Sequence, residues 1–79
     1  MKNLPRYSML IQWSEEDQAF LVSLPEWEGR VFNPVTHGDS YAAAARNGLD
    51  ALTALTESAL KHGETLPDPN VWAVRTAVV

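Results

Sequence analysis

Cysteine is absent from the 79-residue chain, so neither a disulfide nor a thiolate metal site can supplement its core. Histidine is scarce too: His37 and His62 stand 25 residues apart, with no ligand-like spacing between them. No apolar run approaches the ~20 residues of a membrane span. The start, Met1-Lys2-Asn3-Leu4-Pro5-Arg6, has no apolar stretch suited to a signal peptide, and a cytoplasmic location is expected. The four glycines, at 29, 38, 48 and 63, are isolated, which excludes a glycine-rich phosphate loop. Positive charge is the last shortage. Six basic residues against ten acidic ones leave a net charge of −4 and a pI near 4.9. No two cations are adjacent, so the clustered Lys and Arg that displace counterions from phosphates are missing. Direct nucleic-acid binding is not expected, while a basic protein partner would be favoured.

What is present is a small apolar-rich chain, read as one domain over 1–79. At this length a chain buries only about 60% of its extended surface, so oligomerisation, most simply a homodimer, is the expected source of further burial. Residues 7–13 alternate, with Tyr7, Met9, Ile11 and Trp13 on one face and Ser8, Leu10 and Gln12 on the other, the period of a strand. After the polar turn Ser14-Glu15-Glu16-Asp17-Gln18, a second strand runs over 19–24 and the short connection makes an antiparallel hairpin. Pro25 ends it. Gly29 allows a corner before Arg30-Val31-Phe32, the expected third strand, cut by Asn33-Pro34. Val35–His37 then lead onward as further extended residues.

A long helix follows. Asp39 or Ser40 can cap it, and Tyr41, Ala45, Gly48, Leu52, Leu55 and Ala59 step by three or four residues, with Leu49 and Leu60 broadening the stripe. Arg46, Asp50, Glu57 and Lys61 fall at other angles and should be solvated. Gly63 is a natural stop. Gly48, costing roughly 1 kcal/mol relative to Ala in a helix, implies close approach of the underlying sheet. Leu66-Pro67-Asp68-Pro69 reads as an extended connector and Val71–Val79 as a terminal strand, apolar on both faces. A single helix covers one sheet face, so Trp72 and Val74 are candidates for an oligomer interface. The pattern as a whole is α+β.

Catalytic readings are weak. Two-metal nuclease chemistry needs several carboxylates converging on strands, and the first strand carries none; Glu15, Glu16 and Asp17 sit in a hairpin turn instead. Ser40 is better explained as a cap than as a nucleophile paired with His37. No metal, cofactor or catalytic residue is assigned. Of the three tryptophans, Trp13 and Trp72 are expected to pack in the core or between subunits. Trp27 lies between Glu26 and Glu28 at a corner expected to be exposed, where an interface role, for which tryptophan is over-represented at hot spots, and local packing are equally open.

The order of these pieces resembles the HicB-type antitoxin domain over about residues 7–69. The matching positions are Tyr7, the acidic turn ending at Asp17, Phe20-Leu21-Val22, Pro25, Gly29, Gly38-Asp39-Ser40, Ala44, Asn47, Ala51-Leu52, Gly63 and Pro67-Asp68-Pro69. Two features depart from the family pattern: Ala42-Ala43-Ala44 stands where Glu-Glu-Ala is common, and the segment from Gly29 to Gly38 is longer, with Phe32-Asn33-Pro34 inserted. The resemblance implies a partial RNase H-like fold: a three-stranded antiparallel meander, one long helix, then a fourth strand (βββαβ) parallel beside the first. It implies a non-catalytic antitoxin that neutralises a small basic HicA-like mRNA-cleaving toxin by occlusion. The C-terminal DNA-binding module of many family members is not expected here. Candidate toxin contacts are Glu15, Glu16, Asp17, Glu26 and Glu28 for charge, with Trp27 as an apolar anchor. The competing readings are an orphan oligomeric domain with another ligand, and a metal-dependent nuclease using the acids near Asp17.

Overall fold

The computed structural model describes residues 6–73. Its architecture is α+β, a three-stranded antiparallel sheet with one long helix across one face. Strand β1 (Leu10–Ser14) and strand β2 (Ala19–Ser23) form the hairpin expected from the alternation, with Leu10 opposite Ser23 and Ser14 opposite Ala19. The turn between them is held locally. Ser14 Oγ accepts from the Asp17 amide and donates to the Asp17 carboxylate, both at 3.1 Å. The Gln18 side-chain amide donates to the Glu15 carbonyl at 2.7 Å while Gln18 itself takes a left-handed φ of 52°. Tyr7 and Met9 precede β1 yet still pack against the core.

The third strand is not where the sequence placed it. Arg30-Val31-Phe32 belong to a turn: the amides of Arg30 and Val31 both donate to the Trp27 carbonyl, and Phe32 is 96% exposed. The reason is Asn33, whose side chain takes the role of a strand partner. Its Oδ1 accepts from the Leu24 amide at 2.9 Å and its Nδ2 donates to the Leu24 carbonyl at 3.3 Å. Pro34, which follows through a cis peptide bond, has no N–H to offer a ladder. Backbone pairing resumes when the Val35 amide reaches the Val22 carbonyl at 2.8 Å. Strand β3 is then Thr36–Gly38, antiparallel to β2 with Val22 opposite Thr36 and Phe20 opposite Gly38. The sheet order is β1-β2-β3.

Helix α1 (Tyr41–Lys61) begins and ends on the expected residues. Ser40 is the cap, its Oγ accepting from the Ala43 amide at 3.0 Å. At the far end the Glu64 amide donates to the Ala59 carbonyl at 2.8 Å and the Gly63 amide to Leu60 at 3.2 Å. This paired closure requires a left-handed residue, which Gly63 supplies at φ 69°. The buried lane is Ala44, Gly48, Leu52 and Ala59, with Leu55 partly buried beside it. Tyr41, Leu49 and Leu60, included in the expected stripe, are instead exposed, whereas Arg46, Asp50, Glu57 and Lys61 are solvated as anticipated.

Small residues let this helix sit close. A Cβ at Gly38 would meet the backbone nitrogen of Ala44, with the Ala44 Cα at 2.7 Å and the Ala43 carbonyl carbon at 2.8 Å. One at Gly48 would meet Met9 Sδ at 2.5 Å and Val22 Cγ1 at 2.9 Å. Val22, Leu24 and Trp27 form the buried core with Ala44, Leu52 and Ala59 of the helix.

Of the expected fourth strand, Val71, Trp72 and Ala73 form no strand and are exposed. Trp72, at 84% exposure, is not a core residue. Val74 and the residues after it lie outside the described residues. No helix among those described is long and apolar enough to cross a membrane.

Gly38→Ala should lower stability by roughly 1–3 kcal/mol, because backbone atoms of α1 must move to admit the methyl. Gly48→Ala should cost less, since it gains helix propensity and its methyl meets the side chains of Met9 and Val22 rather than backbone. Urea unfolding of the two variants beside the parent checks the order.

Candidate functional site

The six residues expected to meet a partner separate into two groups in the structure. Glu26, Trp27 and Glu28 lie in and just after a single 3-10 turn, Pro25–Trp27, that closes the corner after β2 with Pro25 at its first position. Glu15, Glu16 and Asp17 lie at the hairpin turn.

The corner is structural. Trp27 is 2% exposed, not an exposed anchor. Tyr7 packs edge-on to its ring at 5.6 Å between centroids, and the Arg30 guanidinium lies over it at 5.7 Å. The flanking acids suggest exposure, but the 3-10 turn carries the indole inward and leaves only Glu28 of the two acids exposed. Glu26 is consumed internally as well. Its carboxylate accepts from the Ser8 amide at 3.0 and 3.1 Å, from Ser8 Oγ at 3.0 Å and from the Asn70 amide at 2.8 Å. Burial opposes ionisation of this carboxyl, yet the amides of Asn70 and Ser8 outweigh it and hold it below its ordinary 4.5. Glu28 accepts from Asn33 Nδ2 at 3.0 Å.

Two further side chains tie the segment after α1 across this corner. Arg30 Nη1 donates to the Thr65 carbonyl at 2.6 Å, and the Tyr7 hydroxyl donates to the Pro67 carbonyl at 2.7 Å. Burial raises the Tyr7 phenol above its ordinary value; the Glu26 and Asp68 carboxylates add to this and Arg30 opposes it. Tyr7, Arg30 and Glu26 thus form a clasp over residues 65–70. Neither the clasp nor the Asn33 contact is legible in the sequence, because each acts on backbone groups, which have no pattern of their own.

The hairpin acids are different, since all three residues are exposed. Glu15 Oε2 accepts from the Trp13 indole N–H at 2.9 Å. Trp13, expected in the core, is 47% exposed. It faces Phe20 across the hairpin at 5.1 Å, and Phe20 in turn stacks on Tyr41 at 4.3 Å. The remaining motif positions are structural in form. Gly29 has a φ of 88°, Asp39 is exposed beside the Ser40 cap, and Asn47 Nδ2 donates to the His37 carbonyl at 2.7 Å. His37 and His62 are both exposed, and His62 Nδ1 lies 2.8 Å from the Ser58 carbonyl. Among the described residues no group of three or more His, Asp or Glu side chains is placed to hold a metal ion.

Comparison with known proteins finds no matching family model, no similar curated protein and no similar solved structure.

Because the Glu26 carboxyl is depressed in the folded chain, its stabilisation is present above the unfolded value and is lost as pH falls through the folded one. Glu26→Gln should cost roughly 1–3 kcal/mol at neutral pH. The gap between parent and variant should close as pH falls through the depressed carboxyl's own value, below the ordinary 4.5, where both carry an uncharged side chain. Urea midpoints across that pH range are the measurement.

Proposed function

We propose that this chain is a non-catalytic binding protein of the antitoxin type, acting on a small basic HicA-like toxin by covering its RNA-binding or catalytic surface. The observation that carries the reading is the division among the acids. Glu26 is committed to the fold, while Glu15, Glu16 and Asp17 stand exposed on a short, well-held turn next to a half-exposed tryptophan. Exposed charge on a rigid turn accelerates encounter with an oppositely charged partner. The order of hairpin, corner, capped helix and exit that resembles the HicB-type domain supports the same reading. It is supported also by the net charge of −4, which suits a basic protein better than an RNA.

The same reading carries a finer fold and an assembly. In the RNase H-like arrangement a fourth strand follows α1 parallel to β1, by a right-handed crossover, although Val71–Ala73 form none in the structure. Trp72 and Val74 then join two copies in the cytoplasm. Sedimentation at micromolar concentration should give twice the 8.8 kDa chain mass, and Trp72→Glu should return it to the monomer. A monomeric parent would remove the assembly from the proposal.

A neighbouring gene that encodes a short, basic, HicA-like protein would favour this reading, and co-expression of the chain with that neighbour tests the function. The two proteins should copurify, the complex should weaken as salt is raised, and the chain should rescue growth. Glu15→Lys with Asp17→Lys should slow association by about tenfold. Failure to bind or neutralise that neighbour rejects the antitoxin reading, and RNA cleavage by the purified chain with a divalent cation would replace it with an enzyme.

A further inference from the structure

One end of the sheet gathers three aromatic rings, the central one partly buried against the core and the outer two exposed. Trp13 on β1 lies opposite Phe20 on β2, and Phe20 lies opposite Gly38 on β3. Tyr41, at the start of α1, stands three residues beyond Gly38 and stacks on Phe20. The outer members of this row are open, Trp13 at 47% and Tyr41 at 66% exposure. Every backbone position in it is set by hairpin register or by the capped helix start, so the rings are arranged before any partner arrives.

The charge around the row has one sign. Glu15 is bonded to the Trp13 indole edge, and Asp17 lies in the same turn. Asp39 is exposed two residues before Tyr41 at the other end. Nucleic-acid bases also stack on aromatic platforms, but those platforms sit in positive grooves, and carboxylates here would repel the phosphates. A planar cation fits both features at once. A guanidinium stacks on an aromatic face and pairs with a carboxylate through its N–H fork, which a lysine ammonium cannot do in the same way. The chain already makes such a contact internally, with Arg30 over Trp27 at 5.7 Å.

We propose that the row Trp13–Phe20–Tyr41, with Glu15 and Asp39 at its ends, is a docking surface for an arginine side chain presented by a basic protein. The identity of that protein as a toxin rests on the function proposed above; the preference for arginine does not. Docking at this row places the partner over the hairpin and the helix start and leaves the Glu26–Trp27 corner closed.

The test uses the full chain, isotope-labelled, titrated with an arginine–glycine repeat peptide and with the lysine–glycine peptide of the same length. The arginine peptide should shift the Trp13 indole N–H signal and bind several-fold more tightly than the lysine peptide. Trp13→Leu with Tyr41→Ala should weaken it by roughly tenfold. Circular dichroism confirms folding of the variant, and Glu15→Gln alone, a surface change, should lose part of the arginine preference. Equal affinity for the two peptides, shifts that avoid Trp13, or a folded double variant that binds unchanged would overturn the proposal. The same double variant separates this surface from the antitoxin reading. If it retains the basic neighbour as well as the parent does, the surface is wrong and the reading stands. If the parent takes the arginine peptide but not the neighbour, the reading is wrong and the surface stands.

Discussion

The close seating of α1 on the sheet is the constraint on which the remaining geometry depends. Gly38 meets the backbone of Ala43 and Ala44 with no space for a side chain, and Gly48 meets Met9 and Val22. A helix held that near drives Leu52 into the core beside Val22 and Leu24. It also fixes both ends of the element. At the start, Tyr41 is delivered onto Phe20. At the finish, Gly63 turns the chain so that residues 65–70 cross the Tyr7–Trp27 corner. In a chain this small the few apolar side chains available must interlock closely, because the buried fraction of the surface is limited.

The corner shows how charge is absorbed into structure. A carboxylate that accepts hydrogen bonds from two backbone amides and a hydroxyl is part of the fold, and its charge is not free to steer a partner. The ten acidic residues of this chain are therefore not equivalent. Glu15, Glu16 and Asp17 stand exposed on the hairpin, whereas Glu26 holds residue 70 in place. The rim is also where the open aromatic surface lies, which is why the proposed contact moves there from Trp27.

Much of this fold is legible in the sequence, and the parts that are share a local cause. The hairpin over 10–23 follows from period-two alternation around a polar turn, and the helix limits follow from Ser40 and Gly63, whose roles need only neighbouring residues. The third strand was misplaced because Asn33 substitutes a side chain for a strand partner, a long-range contact no periodicity records. The corner at Trp27 was expected to be exposed because Glu26 and Glu28 flank it, yet a single 3-10 turn carries the indole inward. Trp13 was expected inside because it alternates with Met9 and Ile11. It falls at the end of the sheet, where the start of the helix presents Tyr41 to Phe20 and leaves the indole about half-exposed. Of the candidate site, the hairpin acids could be found from the sequence alone, and their aromatic neighbours needed the register.

Proton–proton contacts in solution test the close seating most directly. The account predicts strong nuclear Overhauser effects from the Gly38 α-protons to the Ala44 amide, together with contacts between the Phe20 and Tyr41 rings. If the Gly38–Ala44 contact is absent in a folded chain, α1 does not sit flush on the sheet, and the placement of both the corner and the aromatic rim is contradicted.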